Sequence, residues 1–433
     1  MTDSLHVVDN CVCPAAPIGR YQSTFERKPY ITHLMTPRAY QENLLGVSDS
    51  PALLLFDKHN LSTPTRTISL ENSQHVTGVS DIDYDTSTWA TTSSAGYVTL
   101  WDARSPKADA IRLKGPSGAP YLSIASNGPL VASGTELQGS DAYVDIWDIR
   151  NPSCPLRIYS EVHSDDIMTL TFHPDASQHP GILLSGGMDG LMSMIDTSLV
   201  AEEDAVVSVG NTDSSIAKVG FALHTAYHFQ PRAKETDVDM DENEVALCRE
   251  PKRNQLGPVF AISNMQTLSV SDADKMDTIV SEVSVRSPTS YRPSWVSDYV
   301  VDAGSRLPSL SPAQGIRLPL MTGDQEGGAA IISYDVLPSG SVSEWSMYAR
   351  LPSSQTCPIA HSDIVRSVDW DQASQVLYTG SEDGSILAWC LDLSAPSANA
   401  SLPDTLPSSP PTQGPSSGRA RSTGTKKRFA PYS

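Results

Sequence analysis

The triplet His-Ser-Asp occurs twice, at 163–165 and at 361–363, and it contains the three residue types of a hydrolytic catalytic triad. A working triad needs its three side chains to converge on one reacting atom. Three consecutive residues of a strand cannot do this, because neighbouring side chains point to opposite faces. The sequence also lacks the H-E-x-x-H, Walker and G-x-G-x-x-G motifs. We therefore predict that the chain is not an enzyme and has no catalytic residues and no cofactor.

The two triplets open near-copies of one segment, at 163–196 and at 361–392. In each copy, a stretch of alternating apolar and polar residues predicts a half-buried strand. A second apolar stretch follows, and an Asp-Gly pair, at 189–190 or 383–384, then leads into a third. An Asp-Gly pair between such stretches is typical of a tight β-hairpin. A repeat of this size predicts an array of small sheets.

These residues resemble the WD-repeat family, in which a repeat of about 40–45 residues supplies one four-stranded blade of a β-propeller. The Trp-Asp pair of the family stands at Trp101-Asp102 and at Trp147-Asp148. Weaker blade endings stand at Phe56-Asp57, Ile195-Asp196, Ser271-Asp272, Tyr334-Asp335 and Trp389-Cys390. The resemblance implies an all-β fold, a seven-bladed WD40 β-propeller.

The last repeat ends after its third strand, so closing the ring needs one more strand. We expect an N-terminal strand within residues 4–10, with the stretch from Tyr21 to Tyr30 as the alternative. The propeller then covers residues 1–393. Long intervals in the fifth and sixth repeats predict loop insertions at about 229–256 and at 284–315.

The resemblance also implies a structural role for the histidines. In WD repeats, a His before the first strand, a Ser or Thr on the second, an Asp in the turn and a Trp on the third form a hydrogen-bonded network. His361, Thr379, Asp383 and Trp389 make a complete set of these residues in the last repeat.

Other repeats match this set less completely. The earlier copy keeps His163 and Asp189, but Ile195 replaces the Trp. Asp141 fits the turn position before Trp147. The turn positions of the second, fifth and sixth repeats hold Ala95, Met265 and Gly328. We expect these blades to depend more on packing.

The formal net charge is −20, and it is unevenly distributed. Residues 394–433 contain five basic residues and one acidic residue, so residues 1–393 carry −24. This acidity argues against direct binding of nucleic acid, which needs clustered positive charge. It leaves two interpretations open, namely basic protein partners or solubility alone.

An acidic run lies in the first insertion, at Asp237, Asp239, Asp241, Glu242 and Glu244. Its spacing partly matches a calcium-binding EF-hand loop, but Glu244 stands where that loop needs its turn-forming glycine. We therefore expect no metal there. The run predicts a flexible loop whose role is electrostatic contact with a Lys/Arg-rich protein.

Residues 394–433 are rich in Ser and Pro and predict a disordered tail, because they offer little apolar surface to bury. The tail ends in a basic cluster with an aromatic residue, Lys426-Lys427-Arg428-Phe429. This cluster has three interpretations: a nuclear-import signal, a docking peptide, or a solubilising charge.

Six cysteines are scattered along the chain, and only Cys11 and Cys13 stand close together. One close pair without a second predicts no zinc site, and reduced thiols are typical of intracellular proteins. We find no apolar run of membrane-spanning length and no secretory signal pattern. We therefore expect an intracellular protein of the cytoplasm, the nucleus or both, with no membrane contact.

These observations favour a non-enzymatic scaffold that holds protein partners on its loop faces, as a monomeric propeller within a complex. A sharper hypothesis is a chaperone or assembly factor for a basic client, such as a ribosomal protein or a histone. The alternative is a propeller hydrolase that acts on a small or peptide-linked ester. His224 and His228 are the histidines to examine for that activity.

Overall fold

The computed structural model describes twelve stretches of the chain, which are 13–14, 17–24, 28–37, 41–70, 75–82, 88–102, 110–222, 256–286, 295–304, 306–308, 316–336 and 344–391. Internal contacts divide the chain after Pro396 into two units, and every described residue lies in the first, Met1–Pro396.

The described residues form seven sheets, which we number blades 1 to 7; each has four antiparallel strands, and blade 6 has a short fifth strand. Blade 1 contains β3 (Ile31–Met35), β4 (Asn43–Ser48), β5 (Ala52–Asp57) and β6 (Arg66–Ser69), and blade 2 contains β7 (Val76–Asp81), β8 (Thr88–Ser93), β9 (Tyr97–Asp102) and β10 (Ala110–Lys114). Blade 3 contains β11 (Tyr121–Asn127), β12 (Leu130–Thr135), β13 (Ala142–Asp148) and β14 (Arg157–His163). Blade 4 contains β15 (Ile167–Phe172), β16 (Ile182–Gly187), β17 (Leu191–Asp196) and β18 (Val206–Asn211). Blade 5 contains β19 (Ile216–Phe221), β20 (Pro258–Ser263), β21 (Thr267–Asp272) and β22 (Thr278–Ser284). Blade 6 contains β23 (Tyr299–Ala303), β24 (Ile316–Gly323), β25 (Ala329–Val336) and β26 (Glu344–Leu351). Blade 7 contains β27 (Val365–Asp371), β28 (Val376–Ser381), β29 (Ser385–Cys390) and β2 (Pro17–Gln22). The predicted seven-bladed β-propeller is confirmed. A short helix, α1 (Glu202–Ala205), precedes β18.

The position of a strand in its blade decides its burial pattern. In blade 4, β16 is buried at five of six positions and β17 at four, because neighbouring blades cover both faces. The fourth strand, β18, is buried at one position only and alternates between exposed and half-buried residues. The repeats are therefore easiest to recognise in the sequence at their second and third strands.

The hydrophobic core is divided into layers between blades. The described residues form seven buried clusters, and each cluster joins two adjacent blades. The largest fully buried side chains include Trp89, Trp147, Trp345 and Trp389. Because every layer needs both of its blades, we expect the ring to lose stability when it is opened.

An N-terminal strand closes the ring, as the sequence predicts, but only its last two residues belong to a candidate stretch. β2 pairs antiparallel with β29, and Tyr21 lies opposite Ile386. Residues 4–10 lie outside the described residues, and the alternative stretch contributes only Tyr21 and Gln22. Pro17 fits the start of this edge strand, where no backbone N–H is needed. β1 (Cys13–Pro14) adds a parallel fifth strand to blade 6.

The interpretation of residues 284–315 as a loop insertion is wrong. This segment contains β23, which pairs with β24 as the first strand of blade 6. Its five residues, YVVDA, stand between Ser- and Pro-rich sequences and give only a short strand signal. The first insertion stands between β19 and β20, and residues 223–255 lie outside the described residues.

Candidate functional site

Blade 7 contains a buried chain of hydrogen bonds. Trp389 Nε1 donates to Thr379 Oγ1 at 2.8 Å, and His361 Nε2 lies 2.7 Å from the same oxygen. His361 Nδ1 lies 2.9 Å from Ser385 Oγ, whose hydroxyl donates to Asp383. One neutral histidine tautomer satisfies all these contacts, from the indole N–H to the carboxylate. Both imidazole nitrogens are therefore engaged, which leaves His361 unable to act as a base toward a substrate.

Asp383 anchors this chain at the turn. Its carboxylate also accepts the backbone N–H groups of Ser362 and Ser385, at 2.9 and 2.8 Å. Burial alone raises the pKa of Asp383, but His361 and these hydrogen bonds outweigh burial and hold the pKa well below its usual range. Sequence reasoning missed Ser385; its signal is the hydroxyl residue directly after the Asp-Gly pair.

Blade 4 has a shorter version of the same network. His163 Nδ1 lies 3.1 Å from Asp189, and Nε2 lies 2.8 Å from Ser185 Oγ. Ile195 replaces the Trp and is fully buried. A Cβ atom on Gly187 would lie 2.5 Å from the Asp189 carboxylate and 2.7 Å from His163 Nδ1. The network therefore needs glycine at this position.

Blades 2 and 3 keep only the tryptophan end of the network. Trp101 Nε1 donates to Thr91 Oγ1 at 2.9 Å, and Trp147 Nε1 donates to Ser133 Oγ at 3.2 Å. The structure does not bring Asp141 to Trp147, because Asp141 stays in the turn and accepts the Ser140 hydroxyl.

The buried acid of blade 3 is Asp145, which accepts the Tyr121 hydroxyl. Burial raises the pKa of Asp145 to about 6, although the hydrogen bond from Tyr121 opposes this shift. A tyrosine and an aspartate thus form the buried polar pair in a blade whose sequence offers no matching histidine.

The inner strands, which are the first strands of the blades, share a structural irregularity that cannot be read from the sequence. Each has a register shift near its start, as expected of a β-bulge. Side chains beside these shifts cross all seven blade interfaces. The contacts are His33 with the Thr77 backbone, Thr77 Oγ1 to Tyr121 O (2.6 Å), Ser123 Oγ to Ile167 O (2.8 Å), Val219 N to Thr169 Oγ1 (3.3 Å), Lys218 Nζ to Asp302 (2.5 Å), Val365 N to the Tyr299 hydroxyl (2.9 Å) and Ser367 Oγ to Ile31 O (3.2 Å).

The two faces of the ring differ in their chemistry. We call the face where first and third strands end the insertion face, because residues 223–255 connect β19 to β20 there, and we call the opposite face the turn face. Five third strands end in aspartate, and in β25 the aspartate is the next-to-last residue. These residues are Asp57, Asp102, Asp148, Asp196, Asp272 and Asp335. The aspartate of the Trp-Asp pair therefore places carboxylates around the insertion face.

Carboxylates crowd at the base of the acidic insertion. Burial raises the pKa of Asp272, and the nearby charges of Asp274 and Asp277 raise it further. Asp274 also accepts the backbone N–H of Leu256, at 3.3 Å, where the chain returns from the insertion. The insertion thus ends beside negative charge.

Charged side chains also pair with each other near the insertion face. Lys218 pairs with Asp302 at 2.5 Å, and Lys58 pairs with Asp371 at 2.8 Å. Burial, together with the charges of Arg306 and Lys218, lowers the pKa of His33 to about 4. His33 is therefore neutral at pH 7.

Several predicted site residues cannot be placed. The acidic run at Asp237, Asp239, Asp241, Glu242 and Glu244 lies outside the described residues, and so does the basic cluster at Lys426, Lys427 and Arg428. His224 and His228 are outside them as well.

The described residues give the hydrolase alternative no support. One histidine–carboxylate pair outside the repeat networks is His59 with Glu42, at 2.9 Å, but its side chains are 81% and 77% exposed. Such a pair lies on open surface, where no pocket holds a substrate. Within the described ranges, no group of three or more His, Cys, Asp or Glu residues is placed to hold a metal ion. No helix there is long and apolar enough to cross a membrane.

The seven blades define this chain as a β-propeller, and it contains WD repeats, which support a role as a protein-interaction scaffold. The model of the family "WD domain, G-beta repeat" matches residues 153–196 and 353–390, which cover the networks of blades 4 and 7.

Similarity to particular WD-repeat proteins extends beyond these repeats. The chain is similar to the WD repeat-containing protein 89 homolog of Dictyostelium discoideum, 23% identical over 352 residues that span 80% of each chain. The order of the motifs in the sequence indicates the same resemblance to WD repeat-containing protein 89, which is thus confirmed. An uncharacterized WD repeat-containing protein of Saccharomyces cerevisiae is 27% identical over 64% of this chain, and one of Schizosaccharomyces pombe is 38% identical over 29%. The chain spans 58% and 39% of the lengths of these two relatives.

Proposed function

We propose that this propeller is a chaperone or assembly factor that holds a basic client protein on its insertion face. The observation that carries the proposal is the concentration of acid on that face. The acidic run belongs to a connection that ends beside Asp274, and the nearby charges of Asp274 and Asp277 add to burial in raising the pKa of Asp272. A Lys/Arg-rich partner relieves this repulsion on binding.

The repeat networks support a scaffold over a catalyst. Both nitrogens of His163 and of His361 are engaged in buried hydrogen bonds, so these residues stabilise blades. Loops on a rigid ring then supply the binding surface, as is usual in repeat scaffolds.

The first test is an affinity pulldown from extract of the source cells with three forms of the protein, at low and at moderate salt. The forms are the intact chain, a chain that ends at Asp392, and a chain without residues 229–255. Leu256 is kept because it is buried against blades 4 and 5. We expect a basic protein that is lost with the insertion or with added salt, because exposed charge pairs are screened. A salt-resistant complex captured equally by all three forms contradicts the proposal.

Two charge-reversal variants distinguish an effect of where the acidic residues lie from an effect of the protein's net charge. One variant replaces Asp237, Asp239 and Asp241 by Lys. The control replaces three turn-face carboxylates by Lys, namely Glu136, Asp141 and Glu326. Both variants change the net charge by the same amount, so the proposal requires that only the first loses the client. Equal losses indicate a general charge effect and no dedicated face.

A further inference from the structure

The channel mouth on the insertion face contains two charged side chains of opposite sign that remain separate. Lys58 and Lys218 are already paired with aspartates. Asp369 and Arg306 are not: in the part of the chain that the structure describes, neither forms an ion pair. Asp369 lies near the end of β27, and Arg306 follows β23. Because all inner strands end at the insertion face, both residues belong to the same mouth.

Asp369 is enclosed but incompletely satisfied. Protein surrounds the residue, and yet part of its surface remains open, as expected for a side chain that faces a narrow channel. Its carboxylate accepts hydrogen bonds from Thr36 only, from Oγ1 at 2.5 Å and from the backbone, in the part of the chain that the structure describes. A carboxylate can accept about four hydrogen bonds. Burial raises the pKa of Asp369 and outweighs the opposing effects of Thr36, Arg306 and Lys58.

Arg306 is held loosely. The residue is exposed, and its guanidinium makes one long hydrogen bond, from Nη2 to Val79 O at 3.5 Å. This contact joins the loop after β23 in blade 6 to the inner strand of blade 2. The Arg306 charge acts on both His33 and Asp369 from beyond ion-pair distance. Arg306 therefore screens the mouth without neutralising Asp369.

We propose that this mouth binds a lysine or arginine side chain of the basic client, which pairs with Asp369 and competes with Arg306. The proposal rests on the proposed function and adds the site where a client side chain enters the ring. A cation fits better than an anion, because the enclosed group is the carboxylate, whereas the arginine is exposed and can move away. His33, being neutral, adds no repulsion to an entering cation. Charge-assisted hydrogen bonds to an enclosed carboxylate are among the stronger polar contacts.

The test uses a fluorescent octalysine peptide as the probe and anisotropy as the measurement, with the full chain and three variants. Asp369→Asn removes the charge and keeps a group that can accept from Thr36. Arg306→Gln removes the competing charge. Glu326→Gln is the matched control, because it removes one carboxylate charge on the turn face. Melting temperatures of all variants check that the ring stays folded.

We expect Asp369→Asn to weaken binding about tenfold or more, Arg306→Gln to strengthen it a few-fold, and Glu326→Gln to change it less than twofold. An octapeptide with acetylated lysines should not bind. If Asp369→Asn behaves like Glu326→Gln, the peptide is held by diffuse charge and the site is rejected. Weaker binding by Arg306→Gln is equally decisive against it, because Arg306 then supports binding of the cationic peptide and does not compete with it.

The same assay separates this site from the acidic loop. Loss of binding in the charge-reversed loop variant, with no effect of Asp369→Asn, keeps the proposed function and rejects the channel site. The reverse result keeps the channel site and rejects the role of the loop.

Discussion

Lys58 Nζ lies 2.8 Å from the Asp371 carboxylate, and the Lys58 side chain is only 5% exposed. Lys58 follows the third strand of blade 1, whereas Asp371 ends the inner strand of blade 7. The pair therefore joins the two blades that meet at the closure of the ring. Tyr21 of β2 packs on Phe56 in the same interface, with ring centroids 4.8 Å apart.

Replacing Lys58 by Met should lower the free energy of unfolding by about 3 kcal/mol, because it leaves a partly buried carboxylate unpaired. The double variant with Asp371→Asn should recover part of this loss. Chemical denaturation measures both. The control is Arg366→Gln, which breaks a pair in blade 7 whose arginine is 52% exposed, and it should cost less than about 1 kcal/mol. Equal losses in the two single variants contradict a closing role for Lys58.

The hydroxyl of Thr379 is the shared contact of the blade 7 network. Thr379→Val keeps the shape of the side chain but leaves His361 Nε2 and Trp389 Nε1 without a partner. We expect a loss of about 2–4 kcal/mol, because each buried unpaired group costs about 1–3 kcal/mol. Thr379→Ser restores the hydroxyl and should recover most of it. A stable Val variant would show that packing alone holds this blade.

The sequence predicts blades 4 and 7 well, because each contains an Asp-Gly hairpin between clear apolar strands and the two segments are near-copies of each other. It fails at β23, because five residues between Ser- and Pro-rich segments do not differ visibly from a loop. It also misplaces the buried acid of blade 3. Asp141 has the right spacing from Trp147, but Asp145 is the residue that meets Tyr121.

The inter-blade contacts of the inner strands could not be predicted from local patterns. Their geometry depends on a register shift, which exists only once the strands are paired. Blade 2 shows why sequence position alone does not identify the contact residue. Its residue after the shift is Gly78, where a Cβ atom would lie 2.9 Å from both Ile124 and Thr92. Thr77 makes the contact there, one position earlier.

The closing strand can be located by two truncations. Removing residues 1–12 should leave the unfolding transition unchanged, because β2 begins at Pro17. Removing residues 1–22 deletes β2 and opens blade 7, and it should abolish cooperative unfolding or lower the melting temperature strongly. Circular dichroism during heating measures both. A strong effect of the shorter truncation would restore residues 4–10 as the closing strand.

Asp145 gives blade 3 a pH-dependent weakness. One carboxylate oxygen, Oδ1, is buried and has no hydrogen-bond partner among the described residues. Because burial raises the folded-state pKa to about 6, above the unfolded value, ionisation of Asp145 opposes folding. This penalty, about 3 kcal/mol for a shift of about two units, is complete above pH 6 and disappears as the pH falls from 6 toward 4. Asp145→Asn should therefore stabilise the protein by about 1–3 kcal/mol at pH 7.5 and by much less at pH 5.

Denaturation of the Asp145→Asn variant at pH 5, 6 and 7.5 tests this expectation, with Asp141→Asn as the control in the same blade. Asp141 lies in a turn and bonds a neighbouring hydroxyl, so its replacement should have a small effect that does not change with pH. A stabilisation by Asp145→Asn that is equal at all three pH values would mean that folding does not raise the pKa of Asp145 into this range. Destabilisation at pH 7.5 would show that the charged hydrogen bond from Tyr121 outweighs the cost of burial.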